Sequence, residues 1–226
     1  LKTLYRIDSF FSKTAAVFTV NNIAYQGMFP KETMLKAGFT WADFTPDRLE
    51  FYSGVNFMKA GIVFADLITT VSPTYAGEIQ FKPEYGKGLE GVLRARSRDI
   101  FGILNGMDDE LWDPAGDSFI ERGYDADSFA KGKAACKLAL QRECGLEENK
   151  DKLLAGVVSR LDAQKGLDLL HAVMPEFADK VQFAVLGAGD PGLSEAYAEL
   201  AKARPKEVFF QAGFHESLAH RIYAAS

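Results

Sequence analysis

Residues 153–170 read LLAGVVSRLDAQKGLDLL, and the fold turns on them. The first half is a continuous apolar run containing two valines, the pattern of a strand buried on both faces. After the polar loop SRLDAQKG the apolar spacing changes to that of a helix, GLDLLHAVMPEFA (166–178). The same order then repeats: strand VQFAVLG (181–187), helix LSEAYAELAKA (193–203), strand EVFFQAG (207–213) and helix ESLAHRIYAAS (216–226). Strands separated by helices predict βαβ units and a parallel sheet, hence an α/β protein.

Upstream, the charged stretch EENKDK (147–152) interrupts this pattern, and a domain boundary is expected there, with residues 1–147 ending one domain and 148–226 beginning another. The earlier half alternates less cleanly. TAAVFTV (14–20) reads as a buried strand stopped by Asn21 and Asn22, residues 30–44 as short helices, FMKAGIVFA (57–65) as a helix and LITTVS (67–72) as a strand. Ser72 suits a helix N-cap and Pro73 the first helical position, where its missing N–H costs nothing. GILNG (102–106) reads as a further short strand, and residues 127–146 as a long helix closed by Gly145. A half-sheet of three strands is small for a doubly wound domain, and the chain begins at Leu1, so both domains are expected to be incomplete.

The 226 residues are 47% hydrophobic and 25% charged, which is globular composition. A net charge of −5 without a long basic run argues against nucleic acid as a partner. The apolar runs are shorter than the ~20 residues a membrane helix needs, so no membrane partner is expected. Two cysteines, Cys136 and Cys144, suggest neither a disulfide framework nor a zinc site.

Ligands of open parallel sheets collect beyond the carboxyl ends of the strands, which directs attention to the loops there. Arg160 and Lys165 follow one strand and precede a helix; they are either solvated surface or a site for a diphosphate. Gly187 and Gly189, in LGAGD, either turn the chain or let a ligand approach the backbone. Phe214 offers a ring that could stack on a base, with His215 and His220 as nearby candidates to contact a ligand, although a helical histidine is more commonly a packed or surface one. Asn21 and Asn22 after the first strand, and Asn105 in LNGMD, either end strands or face a ligand. No Ser-His-Asp order, His-x-x-x-His pair or Walker loop is present, which removes support for hydrolytic triads, zinc enzymes and P-loop ATPases.

Taken together, TVNNIAYQGMF, NFMKAGIVFADLITTVSPTYAGEI, EYGKGLEGVLRAR, GILNGMDDELWDP, GVVSRLDAQKGLDLL, LGAGDP and HESLAHRIYA resemble, in order and across almost the whole chain, the bacterial glycogen synthases and plant starch synthases. The resemblance implies a GT-B fold of two Rossmann-like domains facing across a cleft. It implies transfer of glucose from ADP-glucose to the non-reducing end of an α-1,4-glucan with retention of configuration, and no metal or cofactor. By the same resemblance Arg160 and Lys165 are catalytic cations at the diphosphate, and Gly187, Gly189 and Phe214 bind the donor. Asn105 and Asn22 line the sugar or acceptor side.

The family's Lys-x-Gly-Gly-Leu loop is expected before Leu1, and its Glu- and Cys-containing segment after Ser226. The resemblance also places Asn21 among the catalytic residues, where the family has a histidine. It keeps the backbone carbonyl but loses the reach and the proton of imidazole, which implies a weakened enzyme or, alternatively, a non-catalytic glucan-binding paralogue. The compartment implied is the cytoplasm for a bacterial source and the plastid stroma for a plant or alga.

Overall fold

The computed structural model describes Tyr5 and residues 7–226. They form two compact units that divide between Gly106 and Met107. In chain order the first unit holds β1 (Val17–Val20), β2 (Met28–Pro30), α1 (Thr33–Lys36), β3 (Glu50–Phe51), β4 (Gly54–Asn56), α2 (Phe57–Phe64), β5 (Leu67–Thr70), α3 (Pro73–Phe81), α4 (Pro83–Gly86), α5 (Glu90–Ala95) and β6 (Ile100–Gly102). The second holds α6 (Phe129–Glu143), β7 (Leu153–Val158), α7 (Leu167–Phe177), β8 (Val181–Gly187), α8 (Pro191–Ala203), β9 (Val208–Ala212) and α9 (Glu216–Ala225).

The first unit is built on a parallel sheet in the order β1-β5-β6. Its core gathers Val20, Ile23, Ile62, Ile68, Ile79, Leu89 and Leu93 from the sheet, its loops and α2, α3 and α5. The step from β5 into α3 is made as the sequence predicts: Ser72 Oγ accepts the Tyr75 N–H at 3.3 Å and Pro73 takes the first helical turn. The strand expected at residues 102–106 lies earlier, at Ile100–Gly102. Its partner β5 ends at Thr70, opposite Gly102, so Leu104 and Asn105 have no neighbouring strand to pair with.

A second sheet, β2-β4-β3, is antiparallel, and the sequence carries no pattern that marks it. Its strands span only two or three residues. The hairpin joining β3 to β4 turns through Tyr52 and Ser53, both at positive φ, where Asn-Gly or Asp-Gly would have announced it. Behind it Met34, Leu49, Val55 and Ala60 form a small core of their own. Lys59 is buried there; its ammonium donates to the carbonyls of Pro46 and Glu50, and loss of solvent lowers its pKa.

In the second unit the order is β7-β8-β9, all parallel. Six consecutive residues of β8 are buried, as befits a central strand covered on both faces. Ala184 and Leu186 face one core with Ile120, Cys136, Leu140, Leu146, Leu154, Leu218 and Ile222. Phe183 and Val185, alternating with them, face the other with Leu161, Leu167, Met174, Tyr197 and Val208. The sheet thus has α6 and α9 on one side and α7 and α8 on the other. Because Ile120 and α6 supply the first of these cores, the contact division falls ahead of the 147/148 boundary read from the sequence, which marks instead where the second sheet's strands begin.

Candidate active site

The loops at the carboxyl ends of β7, β8 and β9 are laced to one another by backbone hydrogen bonds. Ser159 N donates to Leu186 O at 3.1 Å, Leu161 N to Ala188 O at 2.9 Å, Asp190 N to Leu161 O at 2.8 Å, and Gly213 N to Gly187 O at 3.1 Å. Leu161 and Gly189 form a parallel bridge past the ends of the named strands. Gly187 and Gly189 permit this closeness. A Cβ on Gly187 would stand 2.0 Å from Ser159 O, and one on Gly189 2.2 Å from Leu161 O. The first reason for these glycines is therefore the approach of two loops, on which the shape of the site depends.

Two cavities open on this platform, and Arg160 lines both. The smaller, about 310 Å³, is walled by Val158, Ser159, Leu186, Gly187, Ala188, Gly213 and Phe214. Gly213 adopts φ +104°, a conformation closed to most side chains, and this turn delivers Phe214 to the rim with 78% of its surface exposed. The larger, about 630 Å³, is bounded by Leu161, Asp162, Ala163, Asp168, Gly189, Asp190 and Leu193. Two of its carboxylates have structural work: Asp162 Oδ1 accepts the Gln164 N–H at 2.8 Å, and Asp190 Oδ1 accepts the Leu193 N–H at 2.8 Å to cap α8. An Asp directly ahead of Pro191 is the local sequence signal for this cap. Beneath this cavity Tyr197 is fully buried and donates to Leu167 O at 2.7 Å; burial, with the Asp168 charge nearby, pushes its pKa up to about 12.

The structure therefore brings together Arg160, Gly187, Gly189 and Phe214. Lys165 is exposed on the short 3-10 turn Ala163–Lys165, held by the Asp162 cap and ended by Gly166 in the left-handed region, and it lines neither cavity. Asn21, Asn22 and Asn105 belong to the first unit. Asn21 is exposed and Asn22 half-buried just past β1, and Asn105 is exposed past β6; both loops leave the carboxyl end of the same parallel sheet. His220 is a packed histidine: its side chain is fully buried, Nδ1 lies 2.6 Å from Asp117 Oδ2, and the ring stacks on Trp112 at 3.9 Å. Among the described residues no group of three or more His, Cys, Asp or Glu side chains is arranged to hold a metal ion.

Parallel α/β units with a cation, an exposed ring and close-packed glycines at the carboxyl ends of their strands have the build of a GT-B glycosyltransferase. The catalytic domain of starch synthase IV from Arabidopsis thaliana, solved with ADP and acarbose, superposes with a TM-score of 0.88 at 31% identity, over 98% of this chain and 47% of that one. A sequence model of the starch synthase catalytic domain matches residues 1–95. The glycogen synthase of Elusimicrobium minutum is 49% identical over all 226 residues, and that of Anaeromyxobacter dehalogenans (strain 2CP-C) is 50% identical over 211. The chain belongs to the glycogen synthase and starch synthase family. It spans about half the length of the curated relatives it matches, 47% and 44% of these two.

Proposed function

We propose that this chain carries the central part of a retaining glucosyltransferase that moves glucose from ADP-glucose to the 4-hydroxyl at the non-reducing end of an α-1,4-glucan. The observation that supports it best is Arg160, fixed at the end of β7 on two cavities, one of which also presents Phe214. A nucleobase stacks on Phe214, the diphosphate lies along the glycine loop and faces Arg160, and Lys165 extends from its turn toward the same charge. As the bond from the anomeric carbon to the diphosphate breaks, negative charge grows on the departing oxygen, and fixed cations stabilise that state more than the ground state. The acceptor oxygen bonds to the anomeric carbon on the face the diphosphate leaves, and its proton departs with the nucleotide. No metal or cofactor enters this reading.

Asn21, Asn22 and Asn105 serve the sugar side. The adenine nucleotide in the Arabidopsis starch synthase supports ADP-glucose over UDP-glucose as donor. A non-catalytic paralogue, suggested by Asn21 alone, is not favoured: the chain is 49% and 50% identical to two glycogen synthases, and its sequence carries both Arg160 and Lys165 in the loop after β7.

The test is a chimera in which this chain replaces the matching segment of the Elusimicrobium minutum glycogen synthase, assayed for labelled glucose entering glycogen. Arg160→Ala and Lys165→Ala each lower kcat by ~10²–10³, the scale seen when one group that stabilises transition-state charge is removed. Activity within threefold of the parent in Arg160→Ala would overturn the diphosphate assignment, and faster transfer from UDP-glucose would overturn the donor.

A further inference from the structure

One strand-to-helix turn of the first unit grips the loop that carries Asn21 and Asn22. The turn is TTVSPTY, residues 69–75, whose sequence announces only the cap of α3. Thr69 Oγ1 lies 2.8 Å from Thr19 Oγ1 on β1. Thr70 Oγ1, in a residue only 1% exposed, donates to Val20 O at 2.7 Å. Tyr75 Oη accepts the Ile23 N–H at 3.1 Å, and Tyr75 is itself set by the Ser72 cap. The residue just before the asparagine pair and the residue just after it are thus each bonded to a hydroxyl of this turn. Between them the loop closes on itself, with Ala24 N donating to Asn22 Oδ1 at 3.0 Å.

Thr70 also reaches the second candidate loop. Its carbonyl accepts the Ile103 N–H at 2.7 Å, where the chain leaves β6 toward Asn105. As the last residue of β5, the central strand, Thr70 stands between the two outer strands from which both loops spring. A valine would match its volume but would take this donor away from the Val20 carbonyl, so what the hydroxyl adds here is the bond it directs.

We propose that Thr70 and Tyr75 are positioning residues for glucosyl transfer, holding the Asn21–Asn22 loop in one orientation, with Thr70 aligning it to the start of the Asn105 loop. This rests on the glucosyltransferase reading of the site. Two measurements keep the two ideas separate. The first is amide hydrogen exchange on the 226-residue chain itself. Tyr75→Phe and Thr70→Val, which remove one oxygen each and keep the packing, accelerate exchange at Ile23 and Ala24 by about tenfold, while Thr70→Ser restores protection at those amides. The second is the chimeric synthase. There Tyr75→Phe and Thr70→Val each lower kcat by about tenfold, leave KM for glycogen within about twofold, and Thr70→Ser recovers kcat; tenfold is the upper end of one net hydrogen bond.

Unchanged exchange in both oxygen-deleting variants overturns the proposal, as does faster exchange with kcat unaltered in an active chimera. An equal loss of kcat in Thr70→Ser overturns it too, because the hydroxyl is then not the agent. If the parent chimera transfers no glucose, the glucosyltransferase reading fails, and exchange alone judges whether the turn holds the loop.

Discussion

At the scale of single residues, the site is limited most by atoms that are absent. Gly187 and Gly189 meet backbone carbonyls of the β7 loop, and a carbonyl cannot step aside as a flexible side chain can. Gly187→Ala therefore has to push two strand ends apart, and we expect a loss of ~1–3 kcal/mol or more, the range for overpacking. Gly77, in the middle of α3, has nothing within 4 Å of its would-be Cβ, and Gly77→Ala should gain ~0.5–1 kcal/mol from helix propensity. Urea unfolding of the two variants against the parent checks both signs, and an unchanged midpoint for Gly187→Ala would remove the steric account. These glycines were legible in the sequence as a loop, but not for this reason. Residue type and position after a strand suffice to nominate Arg160, Phe214 and the asparagines; which backbone oxygen fills the space beside a glycine is set by tertiary approach and leaves no local pattern.

At the scale of elements, the helix α2 is finished by a residue from far along the chain. Arg96 Nη1 donates to Ile62 O at 2.7 Å and Val63 O at 3.0 Å, Nη2 donates to Ala65 O at 2.8 Å and Asp66 O at 3.2 Å, and Nε lies 2.9 Å from Asp99 Oδ2. Carbonyls at a helix end have no intrahelical partners, and a guanidinium satisfies several at once while countering the negative end of the helix dipole. An ammonium is a point donor and cannot span that fan, so Arg96→Lys should cost about 2 kcal/mol, read as a lowered melting temperature; a change under about half that would mean water replaces the fork without penalty. The cap of α2 at its other end, Asn56 accepting the Lys59 N–H at 2.8 Å, is the kind of local signal a sequence displays. So are the strands of the second unit, whose apolar runs lie close to their observed limits. The β2-β4-β3 sheet escaped because strands of two or three residues carry no periodicity, and Arg96 escaped because its partners lie about thirty positions away.

At the scale of the molecule, the question is where the second unit begins. Composition changes at residues 147–152, and a boundary drawn there would leave 148–226 as the unit's first part. Packing argues for a start near Met107. Ile120, Cys136, Leu140 and Leu146 belong to the core that Leu154, Ala184, Leu218 and Ile222 complete. Polar ties run the same way: Gln141 Nε2 donates to Gln182 Oε1 at 2.6 Å inside the core, Lys133 Nζ donates to Tyr223 O at 3.0 Å, and the buried His220 meets Asp117 at 2.6 Å. Deleting residues 107–147 removes α6 and Ile120 from the face that α9 shares and leaves His220 and Gln182 without these partners. Truncating a large buried aliphatic side chain costs ~2–5 kcal/mol, so losing three such residues removes about the whole ~5–15 kcal/mol by which a domain is stable. A polypeptide of residues 107–226 should therefore unfold in one cooperative transition by circular dichroism in urea, while one of residues 148–226 shows no cooperative transition. A sharp transition in the shorter piece would return the boundary to where the composition changes and reduce the segment before it to a tether.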